Sequence, residues 1–390
     1  MSSSRIAYVG DDRQLHVVTA EGQNPTQWTF SLGNNPLLVW GQPSLSPQGY
    51  AWPCWSPDGQ KIACFQLPSD QNPEDPVELH VLEDGGLKQH EVLQVPGRIP
   101  VYMNWQPKGE GLAVLLQTED HMELAYCSLD KPGKLRLLYQ AAPLFFDWCP
   151  DARRLYVHAG TPGQPEMNSL VVRDTLGVLP DEILPQAPGR YCRPLVLGNR
   201  VAHVSHIQGT ERLISSDLMG GDEQILLEYE GLGAVMPARS RNGIVFSCAP
   251  DGGESPYRGA TLFHLDGRES TRLTDHDLLC FFWSDKGEQL IYARLLPDSE
   301  CLAWYSARPR ETPIELVRFR PSREMLYYLH FFDQFAETHK LVSGDGRYLV
   351  FAGQLADAPP ETKPEIHVLD LRGAEALRSV GQGSFGCFEP

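Results

Sequence analysis

Several things are missing from this 390-residue chain, and each absence removes a class of function. No stretch approaches the ~20 consecutive apolar residues of a membrane span. Met1-Ser2-Ser3-Ser4-Arg5 runs straight into Ile6-Ala7-Tyr8-Val9, so no charged segment precedes an apolar export signal. Positive charge is scarce: 33 Lys and Arg face 50 Asp and Glu, a net of −17. Nucleic-acid backbones and anionic lipid surfaces both select clustered cations, so neither is an expected partner.

The nine cysteines are scattered, with no C-x-x-C pair, and several sit inside apolar runs such as Ile62-Ala63-Cys64-Phe65. Reduced, buried thiols in a cytoplasmic protein are the expectation. Also absent are a Walker loop, a G-x-S-x-G elbow, an H-E-x-x-H pair and a D-x-D-x-D-G calcium loop. Gly381-Gln382-Gly383-Ser384-Phe385-Gly386 matches a dinucleotide fingerprint by letters, but no helix can follow it before Pro390. No cofactor and no metal are expected.

What is present is a repeat. Trp52-Pro53-Cys54-Trp55-Ser56-Pro57-Asp58-Gly59 reads as a short strand and a tight turn, and Ile62-Ala63-Cys64-Phe65 as a second strand. Variants recur at Trp105-Gln106-Pro107-Lys108-Gly109, Trp148-Cys149-Pro150-Asp151, Trp283-Ser284-Asp285-Lys286-Gly287 and Val342-Ser343-Gly344-Asp345-Gly346. Two decayed copies precede Val201 and Ile244. One apolar anchor marks each second strand: Ile6, Ile62, Leu112, Leu155, Val201, Ile244, Leu290 and Leu349, on average one per 49 residues. That period is close to the four strands of a propeller blade.

The ends of the chain fit a ring. Ile6 opens a second strand with no first strand before it, and Phe385-Gly386-Cys387-Phe388-Glu389-Pro390 aligns with the first strand Trp52–Pro57. The expected fold is all-β: one closed propeller over 1–390, with eight four-stranded blades, or seven if a decayed copy forms none. Strand 384–390 then closes the first blade, and the termini share it.

The Trp-Ser-Pro-Asp-Gly turn, and Arg272-Leu273-Thr274-Asp275 leading to Trp283-Ser284-Asp285-Lys286-Gly287, resemble the repeats of TolB-type (WD40-like) β-propellers. The resemblance implies that the Trp packs between blades and the Asp-Gly makes the turn. It implies a fold shared by adaptors, protease-associated propellers and cytoplasmic proteins of other kinds. The chain departs from TolB itself in lacking an export signal and an N-terminal α/β domain, and in having more than six blades.

Chemistry-bearing residues are few. His203 and His206 stand three apart on a strand and point to opposite faces, so they do not chelate one ion. His16, His80, His264 and His367 occupy equivalent third-strand positions, which suits a repeated packing role. Asp275-His276-Asp277 is expected in a polar loop between blades. Asn104, Asp147, Arg193, His339 and Lys340 are polar positions at the ends of inner strands, among Trp52, Tyr102 and Phe145. They are candidates for a small polar ligand in the axial channel.

The longest insertion, between Leu290 and Leu349, is rich in aromatics: Tyr327, Tyr328, Phe331, Phe332 and Phe335. It is a candidate partner-binding patch if exposed, and local core over a blade end if not. Trp40, in a Pro-rich loop, is a second such candidate. The favoured function is a non-enzymatic interaction scaffold or complex subunit for a protein partner, without nucleic-acid binding or membrane insertion. The alternative is a channel-mouth lyase or hydrolase of a polar substrate, or a ligand or metal sensor.

Overall fold

The structure, a computed structural model, describes residues 4–30, 49–69, 72, 74–161, 168–185, 188–189, 192–207, 209–249, 255–297, 300–359, 361–373 and 377–390. Trp40 lies outside the described residues. Five four-stranded antiparallel sheets follow one another over residues 49–95, 99–141, 144–183, 195–229 and 232–278, each a meander in chain order. Both decayed repeats open such a sheet, at Leu195–Leu197 and Leu232–Ala238.

A sixth, ten-stranded sheet joins the remaining segments. The strands of 280–321 meet Tyr348–Leu355 through the pairs Phe319↔Leu355, Arg320↔Gln354 and Pro321↔Gly353. The strand Leu377–Phe388 then serves two neighbours. Its first half pairs with Glu365–Asp370 and its second half with Arg5–Gly10, from Ile6↔Phe388 to Gly10↔Gly383. The two ends of the chain thus share a sheet, as the alignment of their sequences predicts. Arg5 reinforces the join through Glu389, with Nε to Oε2 at 2.8 Å.

The atoms of the turn show why the repeat takes this form. Ser56 Oγ donates to Asp58 Oδ1 at 2.5 Å and accepts from Lys61 N at 2.9 Å, while Asp58 Oδ1 accepts from Gln60 N at 3.0 Å. Gly59 supplies the left-handed residue the turn requires, at φ +67°. Ser343, Asp345 and Gly346 repeat the arrangement, with Ser343 Oγ to Asp345 Oδ1 at 2.6 Å and φ +68° at the glycine. All eight anchor residues are fully buried, at 0% exposure. The tryptophans cross between sheets: Trp105 Nε1 donates to Cys54 O at 2.9 Å, and Trp283 Nε1 to Ser240 Oγ at 3.3 Å.

Of two expectations about histidines, one holds and the other holds for three residues of four. His203 is buried while His206 points outward to Glu211 Oε1 at 2.9 Å, so the two do not converge. His16, His80 and His367 share one register in different sheets and bond locally, to Asp12, Glu78 and Gly353 O, whereas His264 pairs with Gly243, three positions away from that register. One expectation is corrected. Asp275-His276-Asp277 is not loop but part of the outer strand Ser270–Leu278, where His276 Nδ1 meets Tyr292 OH at 2.7 Å. Among the described residues no helix is long and apolar enough to cross a membrane. All nine cysteines are free thiols.

Candidate functional site at the helical insertion

The insertion folds into two short helices, α1 (Arg323–His330) and α2 (Phe332–Phe335). Ser322 caps α1, its Oγ accepting from Met325 N at 3.0 Å and donating to Ser384 O. Helical spacing then sorts the side chains. Met325, Tyr328, Leu329, Phe332 and Phe335 fall on one face and are buried to 2% exposure or less. Leu326, Tyr327 and Phe331 fall on the other and are 38%, 41% and 51% exposed.

The buried face is where the first strands of the sheets converge. Phe335 stacks on Trp52 at 5.1 Å between ring centres and meets Tyr102 edge-on at 5.3 Å. Phe332 meets Tyr257 and Phe281 at 5.8 and 5.0 Å, and Tyr328 meets Phe385 at 5.3 Å. Tyr328 OH donates to His339 O at 2.9 Å, closing the insertion on itself. Trp52 reaches this position through a bulge in Gly49–Trp55 and a left-handed backbone, φ +54°, a conformation a bulky side chain adopts only when packing imposes it.

Of the five aromatics of the insertion, Tyr328, Phe332 and Phe335 are therefore core. Tyr327 and Phe331 form an outward pair with ring centres 5.0 Å apart, and Tyr327 leans on Trp52 at 5.6 Å. Beside them opens a cavity of about 380 Å³ lined in part by Arg13, Tyr50, Trp52, Glu324 and Phe385.

Four of the five channel candidates, Asp147, Arg193, His339 and Lys340, lie about the insertion, whose side chains fill the space between them. Asp147 Oδ2 accepts from Val196 N at 2.9 Å, tying two neighbouring sheets. Arg193 is 3% exposed and its Nη1 donates to Gln334 O at 3.5 Å. His339 is fully buried, with Nδ1 beside Thr338 Oγ1 at 2.8 Å. Asn104 is also buried. Lys340 is half-buried and its carbonyl accepts from Phe388 N at 2.8 Å. It lines a smaller cavity of about 150 Å³ with Arg239, Lys286 and Glu337.

Three charged members of this cluster escaped the sequence reading: Arg239, Asp333 and Glu337. Arg239 pairs with Glu337. Asp333 lies in α2 and Glu337 in the turn that follows it. Burial raises the Asp147 carboxyl against the pull of Arg193, and pushes Asp333 up to about 6. Burial also works against Glu337, but Arg239 and Arg193 outweigh it and hold that carboxyl below its usual range. Burial lowers His339 to about 4, so its imidazole is neutral. Arg193 Nη2 and both side-chain polar atoms of Gln334 are buried and find no partner among the described residues.

No family model matches the chain, and no curated protein matches it. Solved structures do. A structure described as a eukaryotic initiation factor is 11% identical over 100% of this chain and 99% of its own, with a TM-score of 0.53. The β-propeller domain of the Trilobed protease from Pyrococcus furiosus is 12% identical over 86% and 98%, with a TM-score of 0.50. TolB from Acinetobacter baumannii is 11% identical over 97% and 79%, with a TM-score of 0.44. The chain has a β-propeller fold. These proteins carry different functions on it, so the likeness is one of fold alone.

Proposed function

We propose that the chain is a non-enzymatic interaction scaffold or complex subunit, built on a closed ring of eight blades and working in the cytoplasm. The observation that carries this reading is the insertion. Met325, Tyr328, Phe332 and Phe335 occupy the place where the first strands converge, and a substrate channel would need that place open. What the insertion leaves outward is an aromatic pair, Tyr327 and Phe331, backed by Trp52: the kind of rigid apolar anchor that interfaces use. The eight buried anchors and the shared sheet of the two termini support the closed ring. Nine free thiols support a reducing compartment.

The test is capture from the native host with the wild type and with Tyr327→Ala plus Phe331→Ala. A stoichiometric partner held by the wild type and lost by the variant, at an unchanged melting temperature, supports the reading. A partner held equally by both contradicts the assigned surface. The second reading, a small-ligand site, draws on Arg193 Nη2 and the Gln334 amide, which have no partner among the described residues, in the cluster that holds Asp147. A small molecule or metal ion co-purifying with the wild type, and lost in Asp147→Asn, would favour it over the scaffold.

A further inference from the structure

The chain has only eight lysines, so where they lie is informative. Three are neutralised in ion pairs: Lys61 with Glu83, Lys88 with Asp84 and Lys363 with Asp11. Among the described residues the other five have no carboxylate within ion-pair distance. Lys108 and Lys286 lie in turns between the first and second strands of their sheets, and Lys131 and Lys134 in a turn between third and fourth strands, the strand ends opposite to the one from which α1 departs after Ile314–Pro321. Lys286 and Lys340 line the small cavity by Arg239. Lys108, Lys131 and Lys134 line one groove of about 740 Å³ between the sheets of 99–141 and 144–183.

That groove is built. Gln106 Nε2 donates across it to Ala152 O at 2.8 Å, fixing its floor to both sheets. On one wall Arg153 is pinned to Asp174, Nε to Oδ1 at 2.8 Å and Nη2 to Oδ2 at 3.0 Å. On the other, Arg136 donates to Leu176 O. Asp151, at the rim, is committed to Arg154 at 2.7 Å. Lys108, Lys131, Lys134 and Arg136 then face only Glu110 and Asp130, an excess of cations in a protein of net charge −17.

We propose that this groove binds an acidic peptide segment of a protein partner. Lys108 stands on one turn, Lys131 and Lys134 on another, and Arg136 in the strand Leu135–Ala141, a spread that suits carboxylates spaced along an extended chain more than one phosphate. A nucleic acid would bring its dense charge against the acidic remainder of the surface, whereas a short acidic segment need meet only the groove. The kind of occupant rests on the scaffold reading; the site itself does not, since it lies on the other face from Tyr327 and Phe331.

The test is fluorescence anisotropy of a labelled decapeptide of alternating Glu and Gly, at low and at physiological salt. The full chain should bind it, more weakly as salt rises. Lys108→Ala with Lys131→Ala and Lys134→Ala should weaken binding about tenfold or more, with the melting temperature unchanged because the three side chains are exposed. Lys286→Ala with Lys340→Ala should leave it intact, as should Tyr327→Ala with Phe331→Ala. Absence of binding by the wild type, equal binding by the triple variant, or binding of tripolyphosphate without the peptide would overturn the proposal. Peptide binding that persists when partner capture does not depend on Tyr327 and Phe331 would separate failure of the assigned α1 surface from failure of the groove.

Discussion

The repeated sheets and the insertion bury their surfaces in opposite ways. In the sheets the interior is made mostly of anchors such as Leu112, Val201 and Leu290, apolar and fully enclosed, with single charged residues such as Glu123, Asp174 and Glu211 buried along the strands. In the insertion the aromatic face of α1 and α2 comes with Arg193, Asp147, Asp333 and Glu337 drawn in beside it. Apolar packing of the first kind is non-directional and holds neighbouring sheets together through buried area. The ionic cluster costs desolvation, and its contacts of Arg239 with Glu337 and of Arg193 with Gln334 O tie the insertion to other parts of the chain. The frame supplies stability, and the insertion supplies a defined outer face.

Truncating the most enclosed ring of the insertion should have the greatest effect. Phe335→Ala removes a ring held by Trp52, Tyr102, Tyr328 and His339, and should cost about 3–5 kcal/mol in denaturant unfolding. Leu112→Ala in the frame should cost about 2–5 kcal/mol. Comparable losses with one transition mean that insertion and frame unfold together. A small loss for Phe335→Ala alone would mean the insertion is a detachable cover.

Asp333→Asn probes the ionic cluster, with the opposite sign. Burial raises this carboxyl to about 6, above its unfolded value, so the folded chain holds its proton over that window. Its contribution is most favourable below about pH 4 and declines as pH rises through about 6. The neutral variant should be more stable than the wild type near pH 7.5, by on the order of 1 kcal/mol, with the advantage gone near pH 4. Chemical denaturation at the two pH values reads this directly; a variant less stable at both would show that the charge of Asp333 is needed for its bond with Gln334 N.

The smallest effects belong to the turns. Ser56→Ala and Ser343→Ala each strip a hydroxyl that joins an aspartate to backbone N–H groups, and each should lose about 1 kcal/mol. Equal losses at the two sites would show that the repeat is energetically as well as geometrically regular.

The frame was readable from sequence because each repeat carries its own local instructions. Ser-x-Asp-Gly can only be a turn of one kind, and the apolar residue after it enters the core. Even the pairing of Phe385–Phe388 with Ile6–Val9 was visible, as a first strand and a second strand missing each other at the two ends. The insertion was visible as an aromatic run but not as an oriented one. Its helical periodicity separates Tyr327 and Phe331 from Tyr328, Phe332 and Phe335, a division that composition alone conceals. The polar cluster is half legible: Asn104, Asp147, Arg193, His339 and Lys340 stand out by their places at the ends of inner strands, and Asp147, Arg193, His339 and Lys340 lie about the insertion. That α2 would fill the space between them follows only from long-range packing, as does the partnership of Arg239 with Glu337.

Native-state hydrogen exchange at Tyr328, Leu329 and Ala336, set beside Ile291 and Tyr292 of the neighbouring frame strand, tests most directly whether the insertion is part of the core. Protection at the level of global unfolding in both places is the expected result, and it makes the outer face of α1 a fixed docking surface. Exchange in the insertion orders of magnitude faster than in the strand would contradict it. The space around Asp147 and Arg193 would then open to solvent in the native state, and the ligand-site reading would displace the scaffold.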